Sequence, residues 1–218
     1  MGAITRAAAN NITTGGVILP AGINDASVAS ITALAQVSAG DGVTLISSQT
    51  ASSSASLSFT TGIDSTYRTY MFKFINMHPA TDAVKFQFNL STDGGSNYNV
   101  TKTTTYFSAY HSEADSDAAL LYRTSEDLAQ STSDQPLSHN LGNSADESLS
   151  GSLILFNPSS TTYVKHFIAN CNQYRATPVA ENDYSAGYGN TTSAVNAIRF
   201  QMSSGNIDAG TIHLYGIA

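Results

Sequence analysis

From Tyr67 to Asn76 the chain runs Tyr-Arg-Thr-Tyr-Met-Phe-Lys-Phe-Ile-Asn, with Tyr70, Phe72 and Phe74 at every second position and Thr69, Met71 and Lys73 between them. A period of two belongs to an extended strand, whose successive side chains leave opposite faces. On a helix these rings would be spread around the axis. His78-Pro79 closes the run, because the residue before proline is pushed out of helical space and proline cannot continue a ladder. The same beat recurs at Val43/Leu45, Leu57/Phe59, Val84/Phe86/Phe88 and Tyr98/Val100 leading into Thr101–Phe107. It returns at Leu153–Phe156, Tyr163–Ala169, Tyr184–Gly189, Ala197–Met202 and Thr211–Ile217. Turn residues separate the runs: Ser91-Thr92-Asp93-Gly94-Gly95-Ser96 predicts a hairpin, and Ser204-Gly205-Asn206 a second turn. About eight to ten alternating strands predict an all-β fold, an antiparallel jelly-roll-like β-sandwich over residues 42–218.

Composition supports this class and narrows the partners. Of 218 residues 41% are hydrophobic, with 11 Tyr and 9 Phe, which is enough for one sizeable core and excludes the disordered class. Charged residues make up only 11%, and the net charge is −7 with Lys and Arg scattered singly. Nucleic acid and anionic membrane surfaces both require clustered cations, so neither is an expected partner. No apolar stretch is long enough for membrane insertion as a helix. The first residues lack the apolar core of a secretory signal, and the one cysteine, Cys171, forms no intrachain disulfide. A chain of extracellular composition made in a cytoplasm and released by lysis fits a virion protein.

Two segments depart from the strand rhythm. Residues 1–41 contain no aromatic side chain and too little bulk for a core, so they read as an extended arm that orders against sister chains or a larger assembly. Residues 108–148 hold much of the acid, including Glu113, Asp115, Asp117, Glu126, Asp127, Asp134, Asp146 and Glu147. They read as one long loop insertion, partly helical through Ala118-Ala119-Leu120-Leu121-Tyr122 and Leu128. Long insertions in compact β-domains usually serve function or an interface.

Catalytic signatures are missing: there is no nucleophile elbow, phosphate-binding glycine loop or His-Glu-x-x-His. The expectation is therefore no catalytic residues, no cofactor and no metal. His166 and His213 lie within strands, where hydrogen-bonded structural imidazoles are expected. His111, Glu113 and Asp115 form an exposed loop cluster, and Asp93-Gly94-Gly95-Ser96-Asn97 lacks the late acidic ligand of a calcium loop. Cys171 reads as a small buried hydrophobe. Aromatic rings among Asn and Ser are the more informative feature, since flat rings pack on sugar faces while amides and hydroxyls bond the sugar hydroxyls. Tyr106, Tyr110, Tyr122, Tyr174, Tyr184 and Tyr188 are the expected glycan contacts, with core and subunit packing the competing role.

The run Phe59-Thr60-Thr61-Gly62, then Ile63-Asp64-Ser65-Thr66-Tyr67-Arg68-Thr69-Tyr70, Pro79-Ala80-Thr81-Asp82 and Asp93-Gly94-Gly95 resembles a recurrent jelly-roll domain in structural proteins of tailed bacteriophages, especially marine ones. The closing stretch from Ser203 to Ile217 and the N-terminal Gly2-Ala3-Ile4-Thr5-Arg6 share this likeness. It implies a β-sandwich in a virion and transfers no catalytic residues. The expected function is a tail fibre or tail-tip appendage contacting host surface glycans, a homo-oligomer, most simply a trimer, joined to other virion proteins through residues 1–41. A capsid-decoration protein on the head shell and a free carbohydrate-binding module are the alternatives.

Overall fold

The computed structural model describes residues 42–218, and the expected arm over 1–41 lies outside them. Twelve strands follow in order: β1 (Val43–Thr50), β2 (Leu57–Phe59), β3 (Thr69–Pro79), β4 (Phe86–Ser91), β5 (Lys102–Ser112), β6 (Ala118–Tyr122), β7 (Gln135–Pro136), β8 (Leu149–Phe156), β9 (Lys165–Tyr174), β10 (Val179–Gly189), β11 (Ala197–Met202) and β12 (Ile207–Ile217). They form two antiparallel sheets, ordered β1-β12-β3-β8-β9-β10-β5-β6 and β2-β11-β4-β7. The described residues contain no helix.

Period-two patterning decides which side chains face inward. Tyr70, Phe72 and Phe74 on β3 are fully buried, as are Leu153 and Leu155 on β8 and Ile212 and Leu214 on β12. Opposite them, Phe86, Phe88, Ile198 and Phe200 line the four-stranded sheet. Phe200 is the hub, with ring centroids 5.2 Å from Phe74, 5.3 Å from Phe72 and 5.8 Å from Phe86. Edge-on and offset ring pairs at these spacings add to the burial energy.

The turn at Asp93 has the expected left-handed glycines, Gly94 at φ 71° and Gly95 at φ 90°. It does not close a hairpin, however: β4 and β5 belong to different sheets, so this turn carries the chain from one layer to the other. The expected insertion over 108–148 also changes character. Ser108–Ser112 continue β5, and Ala118–Tyr122 form β6 instead of a helix, paired with β5 from Phe107↔Tyr122 to His111↔Ala118. Alanine and leucine favour helix in isolation, but an open sheet edge offers this short run backbone partners that a single helical turn lacks. Only residues 123–148 are largely irregular, and they include β7.

Candidate functional site

Side chains on the outward positions of β5, β6, β8, β9 and β10 include no Asp, Glu, Lys or Arg. Strand pairing arranges them in rows. Tyr122, Phe107, Tyr184, Asn170 and Ser152 lie side by side across β6, β5, β10, β9 and β8. The next row is Thr105, Ala186, Ile168 and Ile154, and the one beyond holds Thr103, Tyr188 and His166. Phe107 and Tyr184 stack with centroids 4.9 Å apart and planes 8° from parallel. They remain 41% and 37% exposed, and Ile168 is 53% exposed.

Between these rows lies an open groove of about 490 Å³, walled by Thr103, Thr105, Phe156, His166, Ile168 and Tyr188. Ala186 lowers its floor, being the small residue between Tyr184 and Tyr188 on the same face of β10. A second depression of about 500 Å³ begins beyond Phe156 and His166, at Asn157, Ser160, Thr162 and Tyr163. Aromatic walls, hydroxyls and the amides of Asn170, Asn172 and Asn182 can pack on and hydrogen-bond an uncharged polyhydroxylated ligand.

The six expected tyrosines separate by face. Tyr122, Tyr184 and Tyr188 project from this outer surface. Tyr174 lies on the same face at its far end, half-buried beside Glu113, whose carboxylate raises the phenol pKa. Tyr106 is corrected outright: it points inward with no exposed surface and cannot meet a ligand. Tyr110 is also on the inward side, donating a 2.9 Å hydrogen bond to Asp117 Oδ2 while the Arg175 guanidinium lies 5.8 Å from its ring centroid.

Behind the outer face, the inner positions of β5, β9 and β10 form a buried polar region absent from the sequence expectations. Glu181 accepts an ion pair from Arg123 through Oε1 and another from Arg175, at 3.3 Å, through Oε2. Gln173 Nε2 donates to Asp183 Oδ2 at 2.7 Å. Burial beside the Glu181 charge pushes the Asp183 carboxyl up to about 8, so it holds a proton at neutral pH. Tyr106 Oη, Asp183 Oδ1, Gln173 Oε1 and Ser185 Oγ have no hydrogen-bond partner among the described residues. Residues 123–148 cover this region and are fastened to it. Burial drives Glu126 upward, but His139, Lys85 and Ser125 outweigh this and hold its carboxyl below the usual range. Thr104 Oγ1 donates to Gln135 Oε1 at 2.6 Å. Glu181 and Asp183 are sealed from solvent, so this pair can store a proton but reaches no substrate.

The remaining polar motifs have local roles. Asp93 accepts from Ser91 Oγ at 2.7 Å and from Asn97 N at 2.9 Å, and contacts with Asn97 and then Ser91 lower its pKa to about 2. Its carboxylate caps its own turn. His111 Nε2 lies 3.1 Å from Asp115 Oδ1, both exposed. His213 Nδ1 has no hydrogen-bond partner among the described residues, unlike the satisfied imidazole expected in β12. Cys171 is buried, and burial raises its thiol pKa. No group of three or more His, Cys, Asp or Glu within metal-binding reach occurs among the described residues. No family model, curated protein or solved structure matches the chain.

Proposed function

We propose that the protein is a binding component of a tailed-phage virion, a fibre or tail-tip module that presents the outer face of its eight-stranded sheet to host surface glycans. The observation that carries this reading is the face itself: five adjacent strands whose outward positions bear no formal charge but stacked aromatics, amides and a groove. Neutral glycans offer weak, wet contacts to such a surface, and many copies on one particle multiply them. The reading is of a binder, not an enzyme, and it is supported by the burial of the coupled carboxylates Glu181 and Asp183.

Strand order supports a jelly-roll assignment. Setting aside β5, β6, β9 and β10 leaves eight strands, arranged β1-β12-β3-β8 and β2-β11-β4-β7. In chain order these are the first, eighth, third and sixth of one sheet and the second, seventh, fourth and fifth of the other, the arrangement of two interlocked Greek keys. The four extra strands widen one sheet and create the uncharged face. Attachment to other virion proteins falls to residues 1–41 in this reading.

The test is adsorption. Purified protein should compete with intact particles for host cells, and a Phe107→Ser, Tyr184→Ser, Tyr188→Ser variant should not. Immunogold label at the tail supports the appendage, whereas label over the head, with no competition, supports capsid decoration. A soluble module that binds sugar but never labels particles overturns the virion assignment.

A further inference from the structure

Open sheet edges invite strand addition, and folded proteins blunt them with short strands, bulges or charge. Three of the four edges here follow that rule. The edge strands β2 and β7 have 3 and 2 residues, and β1 carries a bulge between Leu45 and Ser47. The fourth, β6, does not. It is regular, five residues long, and free of charge, proline and glycine, with Leu120 71%, Tyr122 54% and Leu121 40% exposed. Leu120 and Tyr122 stand on one face and Leu121 on the other, so both faces of this edge are apolar.

Hydrogen bonding identifies the groups left free among the described residues. Ser112 N donates to Asp117 O and Arg123 N to Tyr106 O. With the β5–β6 register, this alternation turns 117, 119, 121 and 123 toward β5 and leaves Ala118, Leu120 and Tyr122 with outward N–H and C=O groups. We infer that β6 pairs antiparallel with β6 of a second copy of this chain, about a two-fold axis at Leu120, joining two eight-stranded sheets into one continuous sheet.

The sequence of β6 is self-complementary in that register. Ala118 faces Tyr122 of the second copy, Ala119 faces its Leu121, and Leu120 faces Leu120, so each large side chain except Leu120 lies beside a small one. The outward groups form about six inter-chain hydrogen bonds. Beyond the strand, Asp117 and Arg123 are held within their own chain, by Tyr110 and by Glu181 respectively, so neither charge opposes the pairing. A contact through one five-residue strand edge is smaller than the ~800 Å² per partner typical of stable complexes. The isolated dimer is therefore weak, and display of many copies on one particle reinforces it. This two-fold contact is separate from the trimer expected through residues 1–41, and it does not depend on glycan recognition.

A cysteine scan of the full chain tests it. Directly hydrogen-bonded residues have Cα atoms about 5.5 Å apart, within disulfide range, and the native Cys171 is buried. Leu120→Cys should therefore give a covalent dimer on mild oxidation, while Ser204→Cys, on the exposed turn before β12, should not. Leu120→Pro removes only an outward N–H, a position where an edge strand tolerates proline, and should weaken self-association at least ~10-fold by sedimentation while keeping the wild-type circular dichroism spectrum. Absence of the Leu120→Cys dimer, equal cross-linking of both cysteine variants, or undiminished association of a folded Leu120→Pro chain would each overturn the pairing. Occupation of the edge by residues 1–41 of the same chain is the competing arrangement, and it predicts the first of these outcomes.

Discussion

Around Phe200 the two sheets meet ring to ring, whereas around Asp183 the same eight-stranded sheet meets an irregular segment through ion pairs, amides and hydroxyls. Each half is inward-facing and sealed, yet they are held by different physics. The aromatic half gains free energy in proportion to apolar area removed from water. The polar half must first overcome the desolvation of Glu181, Asp183, Arg123 and Glu126, and its ion pairs at best offset that cost. The first half stabilises the sandwich. The second fixes the course of residues 123–148 across β10 and β5, so that these strands present their opposite faces as the proposed binding surface.

Truncating the hub should be the most damaging change. Phe200→Ala should cost about 4 kcal/mol in urea unfolding, because five neighbouring phenylalanines lose ring contact and the site cannot collapse. In the polar half, Arg123→Ala leaves Glu181 with Arg175 as its one charged partner and should cost about 3 kcal/mol. Replacing both partners, as Arg123→Met with Glu181→Met, should recover much of that loss. If the double replacement is as unstable as the single one, the ion pairs add net stability and the contrast between the halves fails.

The two halves should also differ in their response to pH. The unfolded chain ionises Asp183 near 4, but the folded chain does so only at about 8. The folded state therefore holds the extra proton across that window, and stability falls as pH rises from about 4 to about 8. Buried Lys102 has the opposite effect at higher pH. Burial lowers its ammonium to about 8 in the fold, so the unfolded chain holds the extra proton above that point and stability recovers towards pH 10. A minimum near pH 8 is the expected profile. Asp183→Asn should flatten the descending limb, so that stability at pH 8 rises relative to that at pH 4. A wild-type stability flat from pH 5 to 8 would show that Asp183 is not the buried acid described.

Much of the aromatic half was legible in the chain, and much of the polar half was not. Tyr70, Phe72 and Phe74 announce their face because apolar residues at every second position have one economical explanation. Glu181 and Asp183 also alternate, but in Glu-Asn-Asp-Tyr-Ser the inward positions are the charged ones, so hydropathy assigns the wrong face. Their partners Arg123 and Arg175 lie far off in sequence, and only the β5–β10 and β9–β10 registers bring them together. Tyr106 was misplaced for a similar reason: Thr-Thr-Thr-Tyr-Phe offers two adjacent rings, and which one faces solvent depends on the register with β10. The strand β6 was hidden by its Ala and Leu content, since its stability comes from the neighbour β5 and not from local preference.

A smaller expected effect concerns the outer face. Tyr184→Ala removes the stack on Phe107 from an exposed pair and should cost no more than about 1 kcal/mol of stability. Its consequence should be for binding, with the melting transition nearly unchanged. A large loss of stability would mean that the outer rings support the fold, and the division between a structural interior and a recognising exterior would need revision.

The most direct measurement is an NMR titration of the isotopically labelled full chain with oligosaccharides released from host cell surfaces. The account predicts amide shift changes concentrated at Thr103–Phe107, His166–Asn170 and Tyr184–Tyr188, with the turn at Asp93 and the interior around Phe200 unaffected. Saturating changes located elsewhere, or none at millimolar sugar, would contradict the assignment of this sheet face as the glycan-binding surface.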